Sequence, residues 1–149
     1  MTRSVEVELG TGFRGQVDAV DKNGHTALMD AAKAGNLPEV TALLERGASV
    51  SARSDKGKTA LHFAASHGRA EVVRLLLLSG AEVDPRDRNG HTPLMLAANY
   101  GCTQTGQLLI GYGADPMAMS HSGTTALAYA ENNRHTQTLD ILMKSLRPS

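Results

Sequence analysis

The chain repeats itself every 33 residues, and this period constrains the fold more than any other feature. Thr26, Thr59, Thr92 and Thr125 fall 33 apart, each followed by Ala or Pro and then Leu. Gly24, Gly57, Gly90 and Gly123 stand two residues before them. The pairs Ala31-Ala32, Ala64-Ala65 and Ala97-Ala98 follow at one offset, and Gly35, Gly68 and Gly101 come three residues later. Gly47-Ala48, Gly80-Ala81 and Gly113-Ala114 close each unit. Chance does not hold such features in phase, some over four units and the rest over three.

Each feature has a physical meaning. A threonine ahead of an apolar run is a helix N-cap, its hydroxyl accepting from orphan backbone N–H groups, and Pro93 suits a first turn. A helix of about eight residues follows, with alanines that allow neighbouring helices to approach. Gly35, Gly68 and Gly101 end it in the left-handed conformation that glycine adopts cheaply. A second helix then carries Val40-Leu43-Leu44, Val72-Val73-Leu76-Leu77 and Leu108-Leu109-Ile110 at helical spacing. The Gly-Ala pair ends that helix, and a polar stretch leads into the next unit as an exposed hairpin.

The pattern resembles the ankyrin repeat, a 33-residue turn-plus-two-helix unit with the signature T-P-L-H-x-A. Thr59-Ala60-Leu61-His62-Phe63-Ala64 matches it with Ala60 in the proline position. The resemblance covers residues 21–149 and implies an all-α solenoid of stacked helix-turn-helix units joined by β-hairpin-like loops. The units read as 21–53, 54–86, 87–119 and 120–149, the last a C-terminal cap in which Asn132-Asn133-Arg134 replaces the glycine turn. Residues 1–20 read as an N-terminal extension with a partial leading hairpin. Val17 falls in register with Val50 and Val83, while residues 1–13 are expected to be a flexible extension or partial cap.

Composition agrees with thin, closely packed helices: hydrophobic residues make up 41%, yet aromatics only 3%, and there is no tryptophan. With 15 basic and 15 acidic residues, bulk charge gives no pointer to nucleic acid. Cys102 is the single cysteine, so no intramolecular disulfide can form, which suits a reducing compartment. The N-terminal glutamates do not fit a signal peptide, and no apolar run approaches the ~20 residues that cross a bilayer. A cytoplasmic or nuclear protein is expected, without membrane insertion and as a monomer.

Chemistry is hard to find. His25 and His91 precede repeat threonines in different units, whose equivalent points lie roughly 10 Å apart, too far to share a zinc. His62 holds the position that in ankyrin repeats braces the turn through hydrogen bonds, and Met29 and Met95 stand in its place elsewhere. Cys102 reads as a small residue at the start of a second helix. Ser66 and His67 are helix neighbours whose side chains are expected to diverge. With no nucleophile elbow and no phosphate-cradling glycine loop, the expectation is no enzyme, no metal and no cofactor.

The resemblance implies recognition through a concave surface of first helices and hairpin tips. Four residues after each threonine come Asp30, Phe63, Leu96 and Tyr129, and eight after come Ala34, His67, Tyr100 and Asn133. Candidate partner-binding residues on this face are Lys22, Asn23, His25, Lys33, Lys56, Lys58, Phe63, Ser66, His67, Arg88, Asn89, His91, Leu96, Asn99, Tyr100, His121, Tyr129 and Asn133. Aromatics gathered on one face suit interface anchors. Five basic against two acidic groups give the face a formal +3, which predicts a partner with an acidic or carboxylate-bearing segment. Gly106 replaces an apolar core residue, so the third and fourth units are expected to open more readily than the second.

The expected role is a protein-interaction module acting as adaptor, scaffold or inhibitor on one or more proteins. Two alternatives are anion binding by the basic tips, to nucleic acid or acidic lipid headgroups, and a regulatory domain of a larger enzyme or channel.

Overall fold

The computed structural model describes residues 16–147, and among these it contains eight helices and no strand. They are α1 (Ala27–Ala34), α2 (Leu37–Glu45), α3 (Ala60–Ser66), α4 (Ala70–Leu78), α5 (Pro93–Asn99), α6 (Thr103–Gly111), α7 (Ala126–Asn132) and α8 (Thr136–Ser145). Odd-numbered helices are the first of each pair, even-numbered ones the second. Isolated bridges pair Val20 with Thr26 and Met119 with Thr125, so the loops are hairpin-like without building a sheet. The expected extension at residues 1–13 lies outside the described residues.

The capping threonines act as their position demands. The hydroxyl oxygens of Thr26, Thr59, Thr92 and Thr125 accept from the backbone N–H of Met29, His62, Met95 and Ala128. Each such cap is worth about 1 kcal/mol, and Pro93 opens α5 where its missing N–H costs nothing. Gly35, Gly68 and Gly101 turn the chain with φ of 73°, 67° and 71°. A second constraint acts on them. A Cβ would stand 2.7 Å from Arg69 Cδ at Gly35, 3.2 Å from Cys102 Sγ at Gly68 and 2.6 Å from His135 Nδ1 at Gly101. Arg69, Cys102 and His135 are the N-cap residues of α4, α6 and α8, so each turn lies against the cap of the following pair. In the last unit Arg134 takes the equivalent turn with φ 59°.

Packing explains the curvature. Ala32, Ala64, Ala65, Ala97, Ala98 and Ala130 are fully enclosed between successive first helices, and these pack on one another more closely than the second helices do. Tight packing on one side and looser packing on the other bends the stack, with first helices and hairpin tips on the inner side. Leu28, Leu61, Leu94, Leu76, Leu109 and Leu142 fill the space between the two helix layers. Two arginines join hairpins: the Arg53 guanidinium donates to the carbonyl of Arg86 at 2.7 Å, and that of Arg86 to the carbonyl of Met119 at 2.6 Å. The register reaches upstream as well. Val17 is buried, and Asp18 accepts from the Ser49 N–H at 2.9 Å as Asp84 does from Asp115, two repeats on.

Candidate functional site

The hairpin tips form a row on the concave side, and backbone hydrogen bonds hold them in line. Asp55 N–H donates to the carbonyl of Asn23, Arg88 N–H to that of Lys56 and His121 N–H to that of Asn89, each at 3.0 Å. Within a tip, a short polar side chain at the base shapes the turn. Asp21 accepts from the N–H groups of Asn23 and His25, and Asp87 from those of Asn89 and His91. Ser54 and Ser120 accept from Lys58 and Thr124 in the same way. The bonds from His25 and Asn23 hold the Asp21 carboxyl below the usual carboxylate range.

Behind the tips, one pairing appears twice. The His25 ring meets Phe63 edge-on at 5.0 Å, and His91 meets Tyr129 at 5.6 Å in the same orientation two units later. The second pair carries polar bonds: Tyr129 Oη lies 2.9 Å from His91 Nε2 and donates to Ser120 Oγ at 3.3 Å. Between these two junctions a lysine stands at the histidine position. Lys58 Nζ reaches the carboxylate of Asp87 at 2.7 Å, where the Asp87 side chain is only 1% exposed. Burial opposes ionisation of Asp87, but the bonds from Lys58 and from the His91 and Asn89 backbone outweigh it and hold its carboxyl low. Lower in the layer, His62 is buried with its two ring nitrogens occupied by Thr59 and by the carbonyl of His91.

The remaining candidates divide by what already holds them. Lys22, Asn23, Lys33, Lys56, Arg88, Asn89, His67 and His121 are exposed, and Tyr100 exposes 60% of its surface at the end of α5. Leu96 is 9% exposed, so little of it is open to a partner. Asn133 donates to the side-chain oxygen of Asn99 at 2.7 Å, so these two engage each other. Asn23, His25, Ser54, Asp55, Lys56, Lys58 and Phe63 line an open cavity of about 310 Å³ between the first two tips.

Two expectations need correction. Ser66 and His67 do meet: Ser66 Oγ and His67 Nδ1 are 3.0 Å apart. His67 has left helical geometry as the C-cap of α3, at φ −106° and ψ 8°, so the divergence of helix neighbours no longer applies. Both atoms also lie 3.1 Å from the Phe63 carbonyl oxygen, which makes them a helix-end cap. The charge of the face also shrinks. Adding Asp21 and Asp87 at the tip bases gives five basic against four acidic groups, or +1 in place of +3. Asp21, Ser54, Asp87 and Ser120 share one register position, which is the signal that would have found them.

Among the described residues, no group of three or more His, Cys, Asp and Glu side chains could hold a metal ion, and no helix is long and apolar enough to cross a membrane. A family model for ankyrin repeats in three copies matches residues 7–87 and 77–148, starting ahead of residue 21. No curated protein matches the chain. Repeats of this kind serve in general as protein–protein interaction modules and are typically non-catalytic. The repeat register, the stacked helix pairs and the sequence match together establish that this chain belongs to the ankyrin-repeat family.

Proposed function

We propose that the chain is an adaptor, scaffold or inhibitor that holds a partner protein on the concave face formed by α1, α3, α5, α7 and the hairpin tips. The observation that carries this is Tyr100, a large ring left 60% exposed at the C-terminal end of the first helix α5. A ring on a rigid helix supplies contact area with little entropy to lose, as interface anchors do. The partner is expected to bear an acidic segment, to meet the lysines of the tips. With one cysteine and no helix that could cross a membrane among the described residues, the proposal places the protein in the cytoplasm or nucleus, as a monomer.

Affinity purification tests this role with two double variants of exposed or half-exposed residues. Tyr100→Ala with His67→Ala alters the concave side, and Arg74→Ala with Gln107→Ala alters the outer helices. The first should weaken a captured partner about tenfold or more, as loss of a buried aromatic anchor does, and the second should leave it unchanged. The reverse pattern would move the binding face to the outside of the stack. Phe63 is less suited to this comparison, because it is half-buried and packs against the core.

A further inference from the structure

We infer, resting on the interaction role proposed above, that the cavity between the first two hairpin tips anchors an acidic side chain of the bound protein. Among the described residues the stack has three tip-to-tip junctions, and side-chain bonds of its own cross two of them. At the second, the Lys58–Asp87 bond crosses from one tip to the next. At the third, Tyr129 Oη occupies the space between His91 and Ser120. The first keeps an unfilled volume of about 310 Å³.

Among the described residues its walls set one unpaired cation beside an apolar ring, while Lys58 is paired with Asp87 and the His25 ring lies 3.7 Å from Asp30. Phe63, half-buried and held edge-on by His25, supplies an apolar surface for a short methylene chain. Lys56 is exposed and makes no ion pair among the described residues. The Lys58 ammonium spends one N–H on Asp87 and retains two, and the Asn23 amide adds further donors. Asp55 is the single carboxylate in the lining. A glutamate side chain matches this arrangement: its methylenes cover the ring and its carboxylate reaches the Lys56 ammonium, with the spare N–H groups of the paired Lys58 beside it. A nucleic acid fits less well, since it needs a row of cations for successive phosphates, and Asp55 together with the near-balanced charge of the face opposes a polyanion.

The test is titration of 15N-labelled protein, followed by NMR, with blocked hexaglutamate, blocked hexaglutamine and a thymidine dodecamer. Hexaglutamate should shift the amides of Asn23, Asp55, Lys56 and Phe63 saturably, with hexaglutamine at least about tenfold weaker. Lys56→Glu should weaken hexaglutamate about tenfold, while Arg74→Glu on the outer helices changes nothing. Equal binding by Lys56→Glu, the absence of a saturable shift, or shifts centred on Tyr100 would overturn the anchor and leave the concave role to the purification experiment. Shifts confined to α2, α4 and α6 would overturn both. Equal or tighter binding of the dodecamer at the same amides would overturn the acidic-peptide assignment in favour of a polyanion.

Discussion

His62 Nε2 lies 2.8 Å from the carbonyl oxygen of His91, and His62 Nδ1 lies 3.0 Å from the amide nitrogen of Thr59. The Thr59 N–H can only donate, so Nδ1 accepts and Nε2 carries the proton that binds the next unit. A second proton on Nδ1 would break the cap, in a site where burial already pushes the imidazole pKa from 6.5 down to about 4.

That depression makes stability depend on pH. The unfolded chain takes up the proton near 6.5 and the folded chain near 4, so between these values unfolding binds more protons and acid favours it. The unfolding free energy should drop by about 3 kcal/mol from His62 alone across this window, with no further loss from it below. Urea unfolding at a series of pH values measures this. His62→Met, which installs the residue that Met29 and Met95 provide in the same register, should flatten the curve between pH 6.5 and 4. An unchanged curve would remove His62 as its cause.

The Lys58–Asp87 bond joins the second and third units through a carboxylate that is almost fully enclosed. Replacing Lys58 by Met leaves that charge with its backbone donors and the His91 ring 3.7 Å away, and should cost about 2 kcal/mol. The double change with Asp87→Asn should recover part of the loss, because the backbone bonds at the tip survive while the buried charge is gone. A thermodynamic cycle from chemical denaturation reads the coupling.

Gly106 lies in α6 where Val40 and Val73 are fully buried in the preceding units. A Cβ there would meet Leu94 Cδ1 at 3.7 Å and Ile141 Cδ1 at 3.8 Å, ordinary contact distances. Gly106→Ala should therefore stabilise the protein by about 1 kcal/mol, through helix propensity and filled space. Hydrogen exchange should show α5 to α8 less protected than α3 and α4 in the wild type, with the gap narrowed by the substitution. Uniform protection in the wild type would show that Gly106 is not the weak point.

Arg134 and Gly101 make the same turn with opposite steric demands. Gly101→Ala adds left-handed strain and places a Cβ 2.6 Å from His135 Nδ1, so a loss of roughly 2–3 kcal/mol is expected. Arg134→Gly relieves the strain of φ 59° and should raise stability by roughly 0.5–1 kcal/mol. Melting temperatures of the two variants should move in opposite directions.

The fold was legible because its rules are local and recur. A capping threonine, a left-handed glycine and an alanine pair each follow from backbone geometry within a few residues. The side-chain pairs of the concave face were not legible, since they join residues far apart in sequence. Lys58 meets Asp87 29 positions on, and His91 meets Tyr129 38 positions on. Counting Lys58 as a free cation overstated the charge of the face for that reason. Phe63 and Leu96 share a register position, yet Phe63 lines a cavity beside the His25 ring while Leu96 is buried.

The packing of each turn glycine against the following N-cap residue bears on how such a chain can be lengthened or recombined. Gly35 and Arg69, Gly68 and Cys102, and Gly101 and His135 are each separated by one residue more than the repeat. The three spans therefore overlap, and a junction placed anywhere between Gly35 and His135 divides at least one pair between donor and acceptor sequences. A junction directly after Gly68 or Gly101 divides two. No choice of boundary makes the repeat a self-contained cassette, so a chimaera keeps its turns only where the incoming cap residue fits the glycine it meets.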